Sequence, residues 1–203
     1  MLRAALPLAT ALVFVAACGA STTGEEIDIA GSPALTWGDG SYGVVLAHGA
    51  SFDAASWEEQ ATAIAEQDAT VVAVEDISPG AIAAAVRMLR DDGIDDVALV
   101  GGSAGADAIL RLATTEPDLA DQLVLLSPNS TVAGLGGQPK LFIASEDEPL
   151  ADVAHRLADS APGEDNDVVL LAGSAHAQGI FDSDEADRTM RLILRRLAQH
   201  AAQ

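Results

Sequence analysis

The chain has 203 residues, with 31 Asp and Glu against 10 Lys and Arg and a formal charge of −21, a balance that repels a phosphate backbone and excludes a nucleic-acid-binding role. Hydrophobic residues make up 49% and aromatic residues only 3%, so a sizeable core is available, built from Ala, Val, Leu and Ile, and extensive disorder is excluded. The single cysteine permits neither an internal disulfide nor a multi-cysteine metal centre.

Residues 1–17 place one positive charge, Arg3, before an apolar stretch that ends in small residues, which is the layout of a secretory signal. The stretch is shorter than the roughly 20 residues a membrane-spanning helix needs, and Pro7 interrupts it. The segment Val15-Ala16-Ala17-Cys18-Gly19 resembles the lipobox of bacterial lipoproteins. That resemblance implies export, removal of residues 1–17, and lipidation of Cys18 as the sole membrane anchor at the cell envelope. Residues 18–33, rich in Ser, Thr, Gly and acid, are expected to tether the lipid to a folded domain over 34–203. With so much negative charge, the domain is expected to stand off an anionic bilayer.

Beyond the tether, short apolar runs recur at 44–47, 71–74, 97–100, 123–126, 141–144 and 168–171. Continuous aliphatic runs without polar alternation predict strands buried on both faces, as in a parallel sheet covered by helices. Between the first two runs, Ser56 and Glu59 suggest a capping box ahead of a helix whose Trp57, Ala61 and Ile64 share a face. Ser78-Pro79 then predicts a helix start, with Ile82, Val86 and Leu89 at helical spacing. A final helix carries Met190, Ile193, Leu194 and Leu197 on one face, with Arg188, Arg191, Arg195 and Arg196 largely opposite on an expected solvated face. The fold class is therefore α/β: a three-layer α/β/α sandwich with a mostly parallel sheet of six to seven strands.

In such a sheet, ligands gather beyond the carboxyl ends of the strands. The first run is followed by His48-Gly49-Ala50, the third by Gly101-Gly102-Ser103-Ala104-Gly105, the fifth by Ser145-Glu146-Asp147-Glu148 and the sixth by Gly173-Ser174-Ala175-His176. Gly-x-Ser-x-Gly between a strand and a helix presents a serine on a strained turn that only small neighbours allow. A serine hydroxyl is a weak nucleophile and needs a base, and the base needs an acid to hold its tautomer. His176 and the acidic cluster supply both, in the chain order Ser, acid, His.

These residues, together with the succession of strands over 35–198, resemble the α/β-hydrolase fold. The resemblance implies Ser103 as nucleophile, His176 as base, and the backbone N–H groups of Ala50 and Ala104 as an oxyanion hole. The family usually places Asp at the third position of the acid turn; here that place is Glu148, followed by Pro149, and Asp147 is one residue away. Glu148 is preferred, Asp147 is the alternative and Glu146 ranks third. His48 is expected to hydrogen-bond within its loop, His155 to lie on a solvated helix face, and His200 to belong to the C-terminus. No His and carboxylate cluster has metal spacing, and no cofactor is implied.

Only residues 127–139 join the fourth and fifth runs, where this family commonly inserts a cap, so an open, capless site for a small ester or acyl substrate is expected. Three readings of the function follow: a serine hydrolase that cleaves carboxylic esters through an acyl-enzyme, an acyltransferase or thioesterase using the same triad, and a non-catalytic envelope binding protein on the same fold.

Overall fold

The computed structural model describes residues 22–201. The expected signal segment and Cys18 lie outside the described residues. The chain runs β1 (Glu25–Ile29), β2 (Ser32–Trp37), β3 (Tyr42–Ala47), α1 (Glu58–Ala65), β4 (Ala69–Val74), α2 (Pro79–Asp91), β5 (Val97–Gly102) and α3 (Ala104–Thr115). It continues through β6 (Gln122–Leu126), β7 (Lys140–Ser145), α4 (Asp152–Ser160), β8 (Asn166–Leu171) and α5 (Ala186–His200).

The six apolar runs become β3 to β8, all mutually parallel, in one eight-stranded sheet ordered β1-β2-β4-β3-β5-β6-β7-β8. Successive side chains of a strand point to opposite faces, and the core divides accordingly. Val45, Ala47, Leu99, Leu125 and Phe142 pack under α2, α3 and α4, while Val44, Leu46, Val100, Val124 and Ile143 pack under α1 and α5. This is the α/β/α sandwich expected from the sequence. Residues 127–139 form no helix, so among the described residues no inserted helix caps the sheet edge between β6 and β7.

The sheet has one strand pair more than the runs announced. Of the expected tether, residues 25–33 lie in the fold: β1 pairs antiparallel with β2, and β2 antiparallel with β4. The reason is legible afterwards: Ile27 and Ile29 alternate with acids, so one face of β1 packs on the main core. Ala30 and Gly31, both at positive φ (54° and 88°), make the two-residue turn that suits a hairpin's twist. Even Thr22 and Thr23 are held to the domain, through hydrogen bonds to the Glu58 carboxylate.

Two further expectations change. Ser56 does not cap α1. Asp53 instead accepts from the Ser56 backbone N–H and starts a 3-10 turn, Ala54–Trp57, that leads into α1. Trp57, Ala61 and Ile64 are nonetheless buried together as the spacing required. Arg196 is not on a solvated face. It is 3% exposed and its guanidinium donates to Asp165, Asp167 and the carbonyl of Lys140, because α5 crosses the amino-terminal edge of β7 and β8 at that point. Ser78 does cap α2, with Pro79 behind it.

Candidate active site

Chain direction across the sheet reverses at β3, with β4 on one side and β5 on the other. In an open sheet, ligands gather beyond the carboxyl ends of the strands that flank such a reversal. Ser103 stands there, between β5 and α3, with φ 50° and ψ −110°, a conformation that a β-carbon disfavours and that the surrounding packing must enforce. The flanking glycines show how. A β-carbon on Gly105 would sit 2.2 Å from the Ala47 carbonyl oxygen, and one on Gly101 would sit 2.6 Å from Ile109 Cδ1. Gly102, at a variable position of the motif, would meet nothing nearer than 3.4 Å.

His176 Nε2 lies 2.9 Å from Ser103 Oγ, and His176 Nδ1 lies 2.6 Å from Glu148 Oε2. The other Glu148 oxygen accepts from the Ser145 backbone N–H at 3.2 Å. The Glu148 side chain is 2% exposed and that of His176 43%, so the acid is sealed beneath an imidazole that solvent reaches. Asp147 and Glu146 are exposed, and it is Glu148, not either of them, that pairs with His176. With Glu148 accepting at Nδ1, the neutral ring carries its proton there and leaves Nε2 to accept from the serine hydroxyl.

Ala104 is the first residue of α3, where a helix leaves its backbone N–H without an internal partner and its dipole is positive. Ala50 is exposed in the turn after β3, beside Gly49, whose added β-carbon would lie 3.6 Å from Ser103 Cβ. The Gly49 N–H is already taken by Gln178 Oε1 at 2.7 Å. His48 is buried with its ring nitrogens against the carbonyls of Gly49 and Glu75, and His155 is exposed on α4. Among the described residues, no group of three or more His, Cys, Asp or Glu could hold a metal ion.

Four supporting residues were not legible in the sequence. Gln178 also donates to Ser56 Oγ at 2.6 Å, which bolts the His176 loop to the turn after β3. Ser127, at φ 46°, accepts from the Ala177 backbone N–H at 2.9 Å and so fixes the residue after the histidine. Asn129 donates to Ser103 Oγ, and Asp107 holds Asn129. Each is an ordinary polar residue in a loop or first helical turn, and only their convergence in space distinguishes them. Next to Gln178, a cavity of 280 Å³ is lined by Phe52, Phe181, Glu58 and Glu59 among others.

By sequence, no family model and no curated protein matches the chain. By structure it is similar to a predicted CIB-like hydrolase from Thermoplasma acidophilum (TM-score 0.69, 18% identity, covering 89% of this chain and 100% of that one). It is also similar to a monoacylglycerol lipase from Paleococcus ferrophilus (TM-score 0.71, 14% identity, covering 87% and 99%). A thermostable carboxylesterase cloned from a metagenomic library aligns with TM-score 0.69 and 17% identity, covering 91% and 90%. The chain therefore has the α/β-hydrolase fold, and nearly the whole length of these three proteins has its counterpart in this compact, capless version.

Proposed function

We propose that the protein is a serine hydrolase that cleaves carboxylic esters. The observation that carries this reading is the unbroken hydrogen-bond chain Glu148–His176–Ser103, which ends on a serine held at positive φ in the turn between β5 and α3. Ser103 Oγ attacks the ester carbonyl as His176 Nε2 takes its proton, and the buried Glu148 carboxylate stabilises the imidazolium that results. The N–H groups of Ala104 and Ala50 receive the oxyanion, a contribution of about 3 kcal/mol per donor. His176 returns the proton to the leaving alcohol, and water then resolves the acyl-enzyme by the same route. The exposure of His176 lets water reach the base for that step. Esters as the substrate class agree with what the structural neighbours named above are called.

A fluorophosphonate probe tests the proposal. Stoichiometric labelling at Ser103, absent in Ser103→Ala, together with loss of ester hydrolysis in that variant, is the expected result. A folded protein that neither labels nor hydrolyses short-chain esters would leave only the binding-protein reading.

We also propose that the protein is anchored through lipid on Cys18. With Thr22 and Thr23 hydrogen-bonded to Glu58, the described domain begins four residues after Cys18, so a lipid on that cysteine would hold the domain close to the bilayer. Cys18→Ser should move the protein from the membrane to the soluble fraction.

A further inference from the structure

The proposed triad leaves one contact of the nucleophile unused. Ser103 Oγ receives a hydrogen bond from Asn129 Nδ2 at 3.2 Å in addition to its contact with His176. The same Nδ2 donates to Asp107 Oδ2 at 3.1 Å. A carboxylate only accepts, so Asp107 fixes which end of the Asn129 amide faces the serine and assigns both amide hydrogens. The other Asp107 oxygen accepts from the backbone N–H groups of Asn129 and Ser130 and from the Ser130 hydroxyl. Asp107 lies one helical turn beyond Ser103 on α3, so the loop after β6 is clamped to the same helix that carries the nucleophile.

From this geometry we infer that Asn129 is a further catalytic residue that assists departure of Ser103 Oγ during deacylation, with Asp107 as its positioning residue. The inference rests on the reading of Ser103 as nucleophile. In acylation, the free hydroxyl already accepts from Asn129, so the bond is present before and during attack and largely cancels. In the acyl-enzyme, Oγ is an ester oxygen and a weak acceptor. When water attacks and its proton passes to His176, the carbonyl re-forms, the bond from carbon to Oγ breaks and its electron pair goes to Oγ. The Asn129 N–H stabilises that charge until His176 delivers the proton. The bond strengthens only in this second half of the reaction, so it accelerates deacylation selectively.

Burst kinetics with p-nitrophenyl acetate test the assignment. In Asn129→Ala, the deacylation rate constant should fall about tenfold, the magnitude of one hydrogen bond, while kcat/KM, which reports acylation, stays within about threefold. KM should fall with kcat, and a burst approaching one equivalent of nitrophenolate should develop. Asp107→Asn, which frees the Asn129 amide to flip, should shift the same two constants in the same direction by less. Thr131→Ala, an exposed residue of the same loop, should leave both unchanged. Circular dichroism and the melting temperature establish that each variant is folded, and if Asn129→Ala is not, Asn129→Asp and Asp107→Asn carry the test. Unchanged constants, or equal loss of kcat and kcat/KM without a burst, would overturn the inference. If Ser103→Ala retained hydrolysis, the nucleophile reading itself would fall, an outcome distinct from an inert Asn129.

Discussion

Replacing Glu148 by Gln changes one atom and is the most discriminating single perturbation of the site. In the native arrangement, one carboxylate oxygen accepts from the Ser145 N–H and the other faces His176 Nδ1 at 2.6 Å. A glutamine has one acceptor and one donor end. The Ser145 N–H claims the acceptor, so the glutamine NH₂ must face Nδ1, which forces the imidazole proton onto Nε2. That tautomer cannot accept from Ser103. The substitution also removes the charge that offsets the imidazolium. Two unit charges about 4 Å apart at an effective dielectric constant of about 20 interact by about 4 kcal/mol, roughly a thousandfold in rate. Together the two effects predict a fall in kcat of about 10³ to 10⁴, whose upper end matches the loss of about 10⁴ seen when a triad acid becomes its amide. Initial rates on p-nitrophenyl acetate across the pH range measure it, with Asp147→Asn as the paired control. Asp147 is exposed and the carboxylate paired with His176 is that of Glu148, so the Asp147 amide should stay within about twofold of wild type. A Glu148→Gln enzyme that kept a tenth of its activity, or an Asp147→Asn enzyme that lost most of it, would refute the assignment of the acid.

Gly105→Ala should destabilise the fold by about 3 kcal/mol, because its β-carbon meets the rigid backbone of Ala47 and His48, whereas Gly102→Ala should cost about 1 kcal/mol or less; urea midpoints separate the two. Lys140 is buried, and burial together with the nearby Arg196 pushes its pKa down to about 8. The unfolded chain therefore holds more protons than the native one above that pH. Stability referred to Lys140→Met should be level below about pH 8 and rise between about pH 8 and 9.5, and a falling difference would contradict this. The loops at 48–57, 75–78, 103–107, 127–139, 146–152 and 172–187, which surround the site edge, contain no Lys or Arg and many carboxylates. At about 10 mM ionic strength, cationic esters should thus exceed anionic esters of the same acyl group in kcat/KM at least tenfold, and the ratio should collapse toward unity in about 0.5 M salt. A salt-independent ratio would show that local contacts, not the field, set any preference.

The sequence alone was enough to place the six parallel strands, because strands buried on both faces need short uninterrupted aliphatic runs, and turns and helical patterns bound each of these. It was also enough to single out Ser103, Glu148 and His176 as candidates, since a strained turn demands small flanking residues and the candidate acid and base follow strand ends that the same runs locate. The hairpin of β1 and β2 was missed because an acid-rich, alternating segment resembles a linker until a sheet edge is there to receive Ile27 and Ile29. The burial of Arg196 is hidden in the sequence for a related reason: a helical face shows which residues lie together, not what lies beneath them. Which of the neighbouring carboxylates turns inward toward His176 depends on where β7 ends and on the Ser145 N–H that holds Glu148. The convergence of Asn129 and Asp107 on Ser103, and of Gln178 on Gly49, joins segments far apart in the chain through single hydrogen bonds. Such contacts leave no periodicity or spacing behind, and only the tertiary structure decided them.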